Sequence, residues 1–124
     1  MTSLVRVLHV ALRVIAGAAL ILGIAFWFGL ARALTLWHMV LGTALILCLW
    51  ALAGVVWARV RRTGLAALAV AWGLFTWAFG VVHPAILPGP WHWLVALGHP
   101  AAGVLCVLIG RQLAAAYFDT RSVS

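Results

Sequence analysis

The chain predicts an all-α fold: a bundle of four transmembrane helices forming a single integral-membrane domain over residues 1–124. Three observations lead there. Hydrophobic residues fill 68% of the positions and charged residues 7%, against about 45–50% and about 25% in soluble domains, and the mean hydropathy is +1.23. The apolar runs reach the roughly 20 residues that a helix needs to cross hydrocarbon. Polar and turn-forming residues divide these runs into four and leave nothing over for a soluble domain.

Lipid demands internally paired backbones, so each run is read as an α-helix. The first spans Leu4 to Phe28. Its opening, "MTSLVRVLHVALRVIAGAALILGIAFWFG", holds an apolar stretch longer than the about 7–15 residues of a signal-peptide core and no small-x-small cleavage site before a polar region, so it is expected to be retained. The second helix runs from Ala33 to Val56, the third from Gly64 to Val82 and the fourth from Pro90 to Tyr117. Arginines cluster in "RVRRTG" (Arg59 to Gly64), at Arg6 and Arg13, and at Arg111 and Arg121. The positive-inside rule places these three regions, and both termini, on the cytoplasmic side of a cell inner membrane. The links "GLAR" (Gly29 to Arg32) and "VHPAILPGPWHW" (Val82 to Trp93) are then outside.

Eight arginines against one acid, Asp119, give a formal charge of +7 and a pI near 11.8. In a soluble chain that would point to nucleic acid; here the arginines sit at helix ends and orient the protein in the bilayer, and no nucleic-acid partner is expected. Cys48 and Cys106 fall inside apolar runs, where thiols act as small hydrophobes rather than as disulfide halves. The spans hold no carboxylate, which argues against a proton-coupled or cation transporter. Serine occurs only near the termini and no acid is placed to orient a base, which argues against a nucleophilic hydrolase.

The chain also carries the marks of a tandem duplication of a helical hairpin. "GIAFWFG" (Gly23 to Gly29) in the first helix matches "GLFTWAFG" (Gly73 to Gly80) in the third, each with a tryptophan, Trp27 or Trp77, four residues after the first glycine. In the second helix His38 is followed at i+4 by Gly42; in the fourth His99 is followed at i+4 by Gly103. The two matches are 50 and 61 residues apart, which assigns 11 extra residues to the second outer loop. Such a repeat makes the second and fourth helices parallel. His38 lies six residues after Arg32 and His99 six after Trp93, so each imidazole is about 9 Å inside an interfacial anchor. The two are expected at one level in the outer half of the membrane.

An ionisable side chain within a span is by default a functional-site hypothesis, and neutral imidazole is a ligand for iron, copper and zinc. Zinc takes four protein ligands, or three and a water, and this depth offers no carboxylate and no ionisable cysteine. Haem needs only two axial histidines and an apolar slot, since its porphyrin supplies the other four nitrogens. His38 and His99 are therefore the expected iron ligands. Gly42 and Gly103, one turn below them, would let a flat macrocycle lie against backbone, or alternatively let two helices approach closely. Pro100 frees the Ala96 carbonyl, which, or that of Val95, is expected to accept the other ring N–H of His99. Arg32 is the cation on the correct side for the haem propionates, as well as an anchor, with Trp91, His92 and Trp93 as further donors or aromatic cover.

With "WHMVLG" and "GHPAAG" on alternate helices of a four-helix bundle, the chain resembles the small b-type cytochromes of bacterial inner membranes. More loosely it is similar to the haem-carrying membrane anchors of respiratory dehydrogenases. The resemblance spans nearly the whole chain in architecture, but its motif is only His-x3-Gly. It implies haem b, bis-histidine ligation and electron exchange with a quinone or a partner redox subunit, without deciding between an electron carrier and a quinone-linked oxidoreductase, or whether a homo-oligomer forms. Only His9 lies near the opposite face, so one haem per chain is expected.

His9 itself is expected to hydrogen-bond between helices. His83 and His92 are expected to be loop residues, with part of a quinol site or proton exit as the alternative. Of the eight tryptophans, Trp57, Trp91 and Trp93 fit an interfacial belt, while Trp27, Trp37 and Trp77 could line a planar cofactor. Two rival functions stand beside the cytochrome: a structural or assembly subunit of a membrane complex, and a chlorophyll-type pigment binder in which one histidine serves each magnesium.

Overall fold

The computed structural model describes residues 2–30 and 32–122; the side chain of Arg121, one of the expected anchors, lies outside the described residues. Four helices make up nearly all of it: α1 Thr2–Trp27, α2 Thr35–Val60, α3 Thr63–Val82 and α4 His92–Ser122. Short 3-10 turns, Arg32–Leu34 and His83–Ala85, precede α2 and follow α3. All four helices are long and apolar enough to cross a membrane, and the protein is a multi-pass α-helical membrane protein.

The helix ends follow from local chemistry. α1 closes with a Schellman pattern, Gly29 N–H to Phe26 C=O at 2.9 Å and Leu30 N–H to Ala25 C=O at 2.9 Å, made possible by the positive φ of 74° at Gly29. α2 runs past the expected end at Val56 to Val60, because arginine at a membrane surface extends its side chain to water without breaking a helix. It stops at Arg61, whose left-handed φ of 60° turns its N–H back to the Trp57 carbonyl at 3.2 Å. Only Arg61 and Arg62 then separate α2 from α3. α4 begins at His92 rather than Pro90, after a stretch shaped by Pro84, Pro88, Pro90 and the positive φ of Gly89, and it continues through Pro100 to Ser122.

Contacts fix the register. His38 meets His99, and Leu49 lies near Gly110, both pairs being 61 residues apart in sequence, so α2 and α4 run parallel and in step across the bundle. Gly23 of α1 faces His38, and Leu12 packs against Gly110, so α1 runs antiparallel to both. On the other side Gly73 of α3 abuts Ile46 and Trp50 of α2, and Gly80 abuts His99. α1 and α3 thus flank a central α2–α4 pair. The 50-residue tryptophan match is not reflected in this packing: Gly23 stands beside a histidine, whereas Gly73 stands beside Trp50 and it is Gly80 that takes the histidine. The duplication remains a pattern of the sequence.

Burial is uneven along the bundle. The core gathers Val5, Leu12, Leu45, Ile46, Leu49, Leu52, Val56, Leu113 and Tyr117, with Cys106 and small residues of α3, all toward the arginine-rich end or mid-bundle. At the other end, no described residue from Leu20 to Ala44, nor any from Trp77 to Leu94, is buried. Polar stitches hold the middle. Trp50 Nε1 donates to the Val70 carbonyl at 3.3 Å and Trp72 Nε1 to the Ala102 carbonyl at 3.0 Å. The Thr76 hydroxyl donates to the Trp72 carbonyl at 2.8 Å, and the Cys106 thiol contacts Thr76 Oγ1 at 3.5 Å. Both cysteines are free.

A Cβ at Gly73 would come within 2.5 Å of Trp50 Nε1 and 3.2 Å of Ile46 Cγ2, and the Trp50 ring is held by its bond to Val70. Gly73→Ala should therefore destabilise the bundle by about 1–3 kcal/mol, as overpacking does, in reversible unfolding from detergent micelles. Gly54→Ala, where nothing lies within 4 Å, should cost nothing measurable in the same assay.

Candidate functional site

The loosely packed end carries four of the five histidines. His38 sits in the first turn of α2, and its ring occupies the space that the missing side chain of Gly23 leaves on α1: a Cβ there would be 3.5 Å from His38 Cε1. Phe26, one turn further along α1, meets the ring edge-on at a centroid distance of 5.4 Å and 69° between planes. The Ala19 backbone lies close to the His38 ring. Nδ1 of His38 is buried with no partner.

His99 occupies the matching position on α4. A Cβ at Gly80 would stand 3.0 Å from its Cε1, so α3 leaves room for this ring as α1 does for the other. His83 stacks on His99 with centroids 4.8 Å apart and only 2° between planes; Phe79 lies 6.0 Å away. Nδ1 of His99 is also buried with no partner. The carbonyls of Ala96 and Val95, expected to accept from this ring, do not pair with that nitrogen. The ring lies between Gly80 and the face of His83.

Across the bundle, the His38 and His99 rings have centroids 6.0 Å apart and a 59° angle between planes. The file of imidazoles continues outward: His83 to His92 is 6.4 Å, nearly parallel at 19°. His83 Nδ1 pairs with the Gly80 carbonyl at 2.9 Å and His92 Nδ1 with the Ile86 carbonyl at 3.1 Å. These two histidines are thus not free loop residues. They pack into the site's outer wall, held there by carbonyls at the end of α3 and in the proline-rich stretch.

The remaining expected residues fall as follows. A Cβ at Gly42 or Gly103 would meet nothing within 4 Å; both mark open space beside the helices, not close helix–helix contact. Arg32 is exposed at the outer end of α2, in the 3-10 turn whose Arg32 carbonyl accepts the Thr35 hydroxyl at 2.7 Å. Trp27, Trp37 and Trp77 are 55%, 61% and 48% exposed. His9 lies at the other end of the molecule with Arg13 and Arg111 as its charged neighbours. Gly23, Gly80, Phe26 and Phe79 belong to the site and were not assigned to it from the sequence, although Gly23 and Gly80 bounded the two aromatic motifs.

Chemically, the site presents two imidazoles in an apolar setting far from Asp119, the one acid of the sequence. Two imidazoles sharing one metal, with metal–nitrogen bonds of about 2 Å, place their ring centres about 6 Å apart, which the observed 6.0 Å matches. Among the described residues no group of three or more His, Cys, Asp or Glu is arranged to hold a bare metal ion. No protein-family model, curated protein or solved structure matches the chain.

Gly80→Val should push the His99 ring off its seat and disturb its stack on His83. Histidine-selective nitrogen NMR should show the His99 and His83 ring signals shifted together, while Gly103→Ala leaves them in place.

Proposed function

We propose that the protein is a haem b cytochrome of a cell inner membrane, with His38 and His99 as the axial ligands of one haem per chain and both termini on the cytoplasmic side. The observation that carries this reading is the pair of buried imidazole nitrogens without partners, one from each of two parallel helices, at the ring separation that a shared metal requires. A buried acceptor without a donor costs about 1–3 kcal/mol, and a metal bond removes that cost. The weak burial around the histidines supports the same reading, because a flat group can part the helices there without displacing a close-packed core.

Bound haem would supply reversible one-electron exchange. The protein's own contributions are separable. Gly23 and Gly80 admit the two rings, and His83 and Phe79 restrict the tilt of His99. Arg32 stands at the outer end of α2 where a carboxylate approaching from that side would meet its guanidinium. Electron exchange with a quinone or a partner redox subunit follows from this assignment as the expected activity.

Reduced-minus-oxidised spectroscopy on the purified chain tests the reading, with pyridine haemochrome quantitation. One haem per chain is expected, with the sharp α band of a low-spin bis-histidine centre, and His38→Ala and His99→Ala should each abolish retention while His9→Ala keeps it. A far-red pigment band, or no chromophore after expression in a haem-sufficient host, overturns the assignment and favours the pigment or the scaffold role respectively.

A further inference from the structure

At the end of the bundle opposite His38 and His99, the turn between α2 and α3 and the last third of α4 enclose an open concavity of about 700 Å³. One wall is Arg61, Arg62 and Thr63. The facing wall is Gln112, Ala115, Ala116 and Asp119, spaced i, i+3, i+4 and i+7 so that they share one face of α4. The left-handed backbone at Arg61 reverses the chain within two residues, which sets both arginines at the rim. Arg59, in the last turn of α2, adds a third positive charge close by in sequence. Two guanidiniums thus oppose the one carboxylate in the concavity, Asp119, on a chain that has no other acid.

We propose that this concavity binds the phosphate headgroup of an anionic phospholipid. Three features favour a lipid over a soluble anion. The concavity lies where the apolar spans give way to arginine, and one turn before Arg61 in α2 stands Trp57, 54% exposed, as interfacial tryptophans are. The wall facing the arginines includes the methyl groups of Ala115 and Ala116, which suit a glycerol backbone better than a hydrated ion. Basic pockets between transmembrane helices are the general form of anionic-lipid headgroup sites. Arg61 and Arg62 would pair with the phosphate oxygens, and Thr63 and Gln112 would donate to the phosphate or to headgroup hydroxyls.

Native mass spectrometry of the full chain, released from detergent containing equal phosphatidylglycerol and phosphatidylcholine with identical acyl chains, tests this. Preferential retention of phosphatidylglycerol is expected, weakened about 10- to 30-fold in R61Q/R62Q and largely restored in R61K/R62K, with circular dichroism confirming that each variant is helical. R6Q/R13Q removes the same charge from another helix and should keep the preference. Equal retention of the two lipids overturns the proposal, as does a loss in R6Q/R13Q as large as in R61Q/R62Q, which would indicate diffuse attraction. A retained adduct of inorganic phosphate in the absence of phosphatidylglycerol, lost in R61Q/R62Q, would assign the site to a free anion and overturn the lipid.

Discussion

Hydrocarbon offers no water to a polar group, so every donor and acceptor below the headgroups must find its partner inside the protein. Most of this molecule meets that demand by short, local means. The indole N–H groups of Trp50 and Trp72 reach carbonyls of neighbouring helices, and the hydroxyls of Thr76 and Thr120 return to carbonyls of their own helix. Nδ1 of His38 and Nδ1 of His99 do not meet it. Two lone exceptions at separate points would be a local imperfection. Here they belong to rings that touch, on parallel helices, each seated against a glycine of a flanking helix, and the coincidence gives the site its meaning.

The same demand explains why the two ends of the bundle differ. Near the arginine-rich end, Leu12, Leu49, Leu52, Val56 and Leu113 interlock, and the Gly110 backbone fits against Leu12 closely enough to exclude any side chain. That end can hold the register of all four helices. The histidine end then needs little packing of its own, and it is free to be built from rings: Phe75, Phe79, His83 and His99 lie in succession along α3 and α4. A rigid base and an open mouth would let the bundle admit the flat group proposed for it without losing the alignment of the helices.

The four helices and the common depth of His38 and His99 were legible in the sequence because hydropathy and rise per residue depend on position along the chain alone. The helix ends were less so. The second helix was expected to end at Val56, but its neighbours continue it until Arg61 adopts a left-handed backbone, a choice that sequence leaves open for any non-glycine residue. The partner of His99 was read from its own helix, through Pro100 and Ala96. The structure draws the ring toward α3 instead, where Gly80 has no side chain and His83 offers a flat face.

Composition and spacing thus settle that this chain spans a membrane four times and brings two imidazoles to one level, since those properties add residue by residue. Which glycine receives which ring, that His83 and His92 join the outer wall, that Gly42 and Gly103 face open space, and that Arg61 and Arg62 rim a concavity with α4 all depend on how each helix is rotated about its axis. Rotation is set by contacts among residues tens of positions apart, such as Leu12 with Gly110 or Trp50 with Gly73, and no local pattern encodes it.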